Sequence, residues 1–181
     1  VTRSYSILSD DAARTDLQWV VEYDAGGVDI RGFWRGKAFD QKGLNSIRFM
    51  VNDNPRTDLL PNPLSLTIVS DRLLGILSPL VNQEEVQILG APIYSEFTGQ
   101  RVTGYHLVNP LRVLSALTPQ CIASEPLITQ FEVQVDKIPE HLHVFRLAKE
   151  EPALIVSNAI TERLPEQELK GVCLIPIRGV Y

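Results

Sequence analysis

Apolar residues in this chain fall mostly at every second position, and only briefly at the three-to-four spacing of a helix. In 46–51, Ile47, Phe49 and Val51 alternate with Arg48 and Met50, the period of a half-buried strand. Phe131, Val133 and Val135 alternate with Glu132, Gln134 and Asp136, which predicts a longer strand over 127–139. Leu142 and Val144 carry the period through 141–148 with one phase shift. The stretch 17–23 is rich in β-branched and aromatic residues and closes on Asp24-Ala25-Gly26-Gly27, a strand ending in a turn. Over 28–36, Gly32 breaks the register of Val28, Ile30 and Phe33, and a strand with a bulge is expected. Residues 104–114 read as a strand, a turn at Asn109-Pro110 and a short apolar element. Pro55, Pro61 and Pro63 stand among Asn and Asp in 52–63, the expected principal loop.

Two stretches, 66–77 and 153–164, share Ile-Val-Ser and a final Leu. In each a short strand leads to a serine, Ser70 or Ser157, at the position of a helix N-cap. Asp71 complements the first helix dipole, and Leu73, Leu74, Leu77 and Val81 form its apolar stripe. Gly75 and Pro79 shorten that helix, and Pro165 ends the second one after Ile160 and Leu164. A strand then returns over 84–93 and over 171–177, ending in Pro92-Ile93 and Pro176-Ile177. Either a building block was duplicated, or a common strand-to-helix transition occurs twice. The expected fold is α+β: a mixed, mostly antiparallel sheet with two or three short helices. It forms one domain over 1–181, or two related halves at 1–100 and 101–181.

Composition adds boundaries. At 181 residues, folding should bury roughly 70% of the unfolded chain's surface, so no metal or disulfide staple is required. With 44% hydrophobic and 22% charged residues, the chain reads as an ordinary globular protein. Cys121 and Cys173 lack CxxC spacing, which suits buried thiols in a reducing compartment; one disulfide between them stays open. No apolar run approaches the ~18 residues of a membrane span, and the first sixteen residues lack a signal peptide's apolar centre. A cytoplasmic location without a membrane partner is expected. The formal charge of -5, with Lys and Arg scattered, argues against nucleic acid and allows steering towards a basic partner.

Candidate chemistry is sparse. His141 and His143 form an HxH pair that would share one strand face, with Glu140, Asp136 or His106 as conceivable third ligands. Its flanks read as a turn and a strand, so no metal is expected. Neither cysteine has an adjacent His, and the GxSxG, GxxxxGK[ST] and GxGxxG patterns are missing. The pairs Asp10-Asp11, Glu84-Glu85 and Glu150-Glu151 read as solvated turns, and Trp19 and Trp34 as core or rim residues. No catalytic residue and no cofactor is expected.

One pattern extends over 66–177. A strand runs from Tyr105 to Asn109, a second carries His143, Phe145 and Arg146, Val156-Ser157 opens a helix, and Gly171-Val172 opens a final strand. This pattern resembles a large bacterial family of immunity proteins from polymorphic toxin systems. The Asp-rich stretch that usually follows the Tyr strand in that family has no counterpart in 115–126. The resemblance implies a protein that binds its cognate toxin inside the producing cell and blocks it by occlusion, without turnover. The residues alone also admit a small cytoplasmic enzyme, its site assembled from distant residues such as Glu140, His141 and His143, or a structural accessory protein. The shared motifs build the fold, so the toxin contact is expected in the less patterned N-terminal third. Candidates there are Phe33 and Trp34 in one turn, and Asp53, Asp58, Leu59 and Leu60 in the proline-rich loop.

Overall fold

The computed structural model describes residues 3–11, 13–123, 131–164 and 169–181. Its first half carries β1 (Tyr5–Asp10), β2 (Val20–Asp24), α1 (Ile30–Trp34), α2 (Gln41–Leu44), β3 (Arg48–Val51), β4 (Ile68–Ser70), α3 (Asp71–Leu77), β5 (Val86–Gly90) and β6 (Ile93–Ser95). Then follow β7 (Arg101–Val102), β8 (Tyr105–Pro110), β9 (Val113–Leu114), α4 (Pro119–Ala123), β10 (Glu132–Gln134), β11 (Val144–Leu147), β12 (Glu150–Ser157), α5 (Asn158–Thr161) and β13 (Val172–Val180). The class is α+β, as the alternation indicates. Three sheets run β10-β13-β1-β12-β11-β9, β2-β3-β6-β7 and β4-β8-β5, and most of their ladders are antiparallel.

The Ile-Val-Ser repeat marks two units with one topology. In the first, β4 and β5 both flank β8 antiparallel, with Ser70 opposite Tyr105. In the second, β12 and β13 both flank β1 antiparallel, with Ser157 opposite Tyr5. Each has a further strip outside its first strand: Leu59 bridges Val69, and Val144 on β11 pairs with Val156. The order is therefore strip-β4-β8-β5 and β11-β12-β1-β13. A cut at residue 100 would separate β8 from the first unit and β1 from the second, so halves at 1–100 and 101–181 do not describe the molecule.

The two units face each other across a shared core, and equivalent side chains meet there. Val69 and Val156, Leu59 and Val144, Leu73 and Ile160, Leu77 and Leu164, and Val108 and Leu8 all belong to it. Burial of such aliphatic side chains stabilises by about 1.5–3 kcal/mol each relative to exposure. The opposite face of the first unit (Ile68, Leu89, Leu107) packs on Phe49, Val51 and Ile93 of the four-stranded sheet. The opposite face of the second (Ile7, Phe145, Ile155) packs under Leu117, Val133 and Val135.

Several expectations are corrected. Residues 30–34 form a helix rather than a bulged strand, because Ile30, Phe33 and Trp34 stand at i, i+3 and i+4. A Cβ on Gly32 would lie 2.8 Å from the Phe39 ring, which itself stacks on Phe33 at 3.8 Å. A fourth-residue pattern too short to read in sequence, Gln41–Leu44, is also helical, with the Asp40 side chain accepting from Gly43 N–H. Asn109 and Pro110 lie inside β8 rather than at a turn. The strand expected over 127–139 is ordered as β10 and then a 3-10 turn, Val135–Lys137; its start, with Pro165 of the second helix, lies outside the described residues. The matching Pro-Ile endings are coincidental. Register makes Gly90, opposite His106, equivalent to Pro176, opposite Ser6, whereas Pro92 leads into β6 in another sheet. Cys121 is buried and Cys173 exposed, and no disulfide joins them.

Candidate functional site

Five of the six residues expected at a contact surface are largely withdrawn from solvent. Phe33, Leu59 and Leu60 are core residues, and Asp58 is buried. Trp34 is half-buried and its Nε1–H donates to the Leu64 carbonyl at 3.2 Å. Only Asp53 is exposed. The proline-rich stretch holds no helix or named strand, as a loop should, but its middle is tied down as the outer strip of the first unit through the Leu59–Val69 bridge. Ser70 N–H donates to the Asp58 carbonyl (2.9 Å), Leu60 N–H to the Ile68 carbonyl (2.8 Å) and Val20 N–H to the Pro61 carbonyl (3.0 Å). Prolines restrict the chain there, but the amides between them still need partners.

Asp53 does belong to a surface cluster. The ladders place Val20, Val51 and Ser95 in one row across the four-stranded sheet, so Trp19, Asn52 and Glu96 project together past its end. Trp19 N–H donates to Asn52 Oδ1 (3.1 Å), and Glu96 N–H to the Val51 carbonyl (2.8 Å). Ser95 Oγ donates to Asp53 Oδ1 (2.8 Å) and accepts from Thr98 N–H (3.0 Å). These bonds fix the turn between β6 and β7, which carries Phe97 at 89% exposure; Trp19 is 45% exposed. Two aromatics and the carboxylates of Asp53 and Glu96 thus share one end of the sheet. Sequence reasoning overlooked Phe97, although an aromatic inside the polar turn 95–100 was a usable signal.

The buried polar groups serve the scaffold. Asp58 accepts from Ser70 Oγ–H (2.6 Å) and Lys170 N–H (2.7 Å), while Ser70 Oγ caps α3 by accepting from Leu73 N–H (3.2 Å). The Tyr105 hydroxyl shares its proton between Gln18 Oε1 (2.8 Å) and the Thr57 carbonyl (3.0 Å), and burial pushes its phenol up to about 12. Gly171 sits at φ 67°, and a Cβ there would fall 2.2 Å from Thr57 Oγ1. Of the other resemblance residues, Asn109, Phe145, Arg146, Val156 and Ser157 are buried. Burial lowers the Arg146 guanidinium to about 10, and it donates to the Pro152 carbonyl (2.9 Å).

The HxH pair precedes β11 and its rings part company. His141 Nε2 lies 3.1 Å from Glu85 Oε1, whereas His143 Nδ1 lies 2.8 Å from Ser157 Oγ. Burial, then His141 and Arg163, lower the His143 pKa. The neutral ring with Nδ1 accepting from Ser157 fits this bond pattern. Ser157 stands at the cap of α5, yet its side chain makes no capping bond, contrary to expectation. Among the described residues, no group of three or more His, Cys, Asp or Glu could hold a metal, and no helix is long and apolar enough to cross a membrane. No protein-family model matches the chain, and no curated protein matches it.

Proposed function

We propose that this protein is a cytoplasmic immunity protein that binds a basic cognate toxin and blocks it by occlusion, without turnover. The reading rests on the sequence resemblance, and one structural observation supports it. The end of the four-stranded sheet presents Trp19 and Phe97 together with the carboxylates of Asp53 and Glu96, and hydrogen bonds from Glu96 N–H, Ser95 Oγ–H and Thr98 N–H hold the turn that carries Phe97. Exposed aromatics on a fixed frame supply binding energy at little entropic cost, and an acidic rim raises the rate of encounter with a basic partner. Most residues of the resemblance lie inside, with His143 and Val172 partly buried, and they shape the frame. The surface can thus differ between toxins while the scaffold stays the same.

The test is co-expression with the product of the adjacent gene, followed by association kinetics of the purified pair at two salt concentrations. Protection of growth and a stable complex are expected. The double variant Trp19→Ala/Phe97→Ala should weaken the complex by about 2 kcal/mol or more, mainly through faster dissociation. Absence of any complex between the purified proteins would sink the reading.

A further inference from the structure

We infer that the groove beside Trp19 receives an extended, positively charged segment of a protein partner. That this partner is a toxin rests on the reading above; the chemistry of the segment follows from the groove itself. Two cavities, of about 250 and 360 Å³, share Asp10, Pro61 and Asn62. The first opens where the ladder between β1 and β12 stops, at Leu8 opposite Leu154. Continuing it would require Pro152, which has no N–H to donate. The second cavity is lined by Trp19, Val21 and Pro63.

Charge selects the occupant. Among the described residues, Asp10 is the one charged residue lining either cavity; it is half-buried, and its carboxylate has no hydrogen bond or ion pair there. The rest of the lining is apolar or neutral. A guanidinium or ammonium would pair with Asp10 and meet the face of Trp19. The chain's net charge of -5 favours its approach. In an extended segment, residues i and i+2 point the same way about 7 Å apart, so a basic and an aliphatic side chain can enter the adjoining cavities.

The wall is also set before anything binds. Asn62 Nδ2 donates to the carbonyls of Leu60 (3.1 Å) and Leu66 (2.7 Å), and its Oδ1 accepts from Leu66 N–H (3.0 Å). This brace holds Ser65 at φ 50°, in the left-handed region that a serine rarely adopts. A groove with a fixed wall loses little freedom when it is filled.

The probe is a phage-displayed library of random nonapeptides selected on the purified chain. Enriched peptides are then synthesised and measured against wild type, Asp10→Asn, Asp10→Lys and Trp19→Ala, with thermal midpoints confirming that each variant is folded. Peptides carrying Arg or Lys two positions from an aliphatic residue are expected, with about tenfold weaker binding to Asp10→Asn. Asp10→Lys, which leaves Trp19 in place, should abolish binding. Enrichment of peptides without a basic residue, undiminished binding to both Asp10 variants, or no enrichment at all would overturn the inference. A concentration-dependent dimer that Asp10→Lys disperses would overturn it too, by assigning the groove to a second copy of the chain. The toxin reading fails separately: the adjacent gene product would not bind, while basic peptides still did.

Discussion

The two units repeat one backbone and exchange its buried polar pair. Register makes Asp58 equivalent to His143, because Ser70 N–H donates to the Asp58 carbonyl and Ser157 N–H to the His143 carbonyl. In the first unit Ser70 meets a carboxylate; in the second, Ser157 meets an imidazole. The carboxylate has a second oxygen, which accepts from Lys170 N–H and ties the segment before β13 to the first unit. The imidazole offers Ser157 one ring nitrogen and, among the described residues, makes no such tie across the shared core. Apolar positions of the two units therefore correspond closely, while each polar partner suits its own neighbours.

If the strip 58–60 is a true counterpart of β11, truncations at equivalent positions should hurt alike. Phe145 is fully buried and meets Tyr5 edge-on, with ring centroids 5.6 Å apart. Phe145→Ala should cost about 3–5 kcal/mol, and Leu60→Ala about 2–5 kcal/mol. Urea unfolding of both variants measures this. A loss below about 1 kcal/mol for Leu60→Ala would break the equivalence, since an apolar residue on a true strip must leave a cavity.

The tie made only by the first unit should show next. Asp58→Asn keeps the shape but removes the charge from two short hydrogen bonds, and a loss of about 1.5–3 kcal/mol is expected. Protease sensitivity near Lys170 should rise in the same variant, because its N–H loses a charged acceptor. Equal stability by urea unfolding would mean that the carboxylate has no structural role.

Much of this comparison was legible in the chain, and for an identifiable reason. Ile68-Val69-Ser70 and Ile155-Val156-Ser157 are contiguous, so local pattern reveals them. Their centre strands are not: β8 follows its unit, whereas β1 precedes everything, and only long-range pairing joins Tyr5 to Ser157. Asp58 and Leu59 looked like loop residues because turn formers surround them, although β-bridging to Val69 decides their burial. At 28–36 a helix of five residues gave too few turns for its period to outweigh the alternation of Val28 and Ile30. The exposed end at Trp19 and Phe97 depends on adjacency between β2, β3 and β6, which no local period encodes.

Capping separates the serines further. Ser70 both caps α3 and serves Asp58, so Ser70→Ala should cost about 0.5–2 kcal/mol from the cap alone, with the lost Asp58 bond added. Ser157 makes no capping bond, so Ser157→Ala should cost only its bond to His143, about 0.5–1.5 kcal/mol. A double-mutant cycle of Ser157→Ala with His143→Ala should recover most of that as coupling. Equal losses for the two serine variants would contradict the distinction.

The smallest expected effect is a pH dependence confined to the second unit. Burial is the main cause that holds the His143 pKa below its ordinary value, and the charges of His141 and Arg163 act in the same direction; Glu85 opposes them. The unfolded chain therefore binds a proton at a higher pH than the folded one. Between the unfolded value of about 6.5 and the lower folded value, stability should fall as pH falls, then cease to change on this account. The slope should be shallow, because the ring is only partly buried and a protonated Nδ1–H can donate to Ser157 Oγ in place of accepting from it. The measurement is urea unfolding of wild type and His143→Gln from pH 7.5 to 5. The variant should lose the slope that belongs to this residue while keeping whatever the other groups contribute. An unchanged slope would assign the acid sensitivity elsewhere, and a slope of opposite sign would mean that the folded protein prefers the charged imidazole.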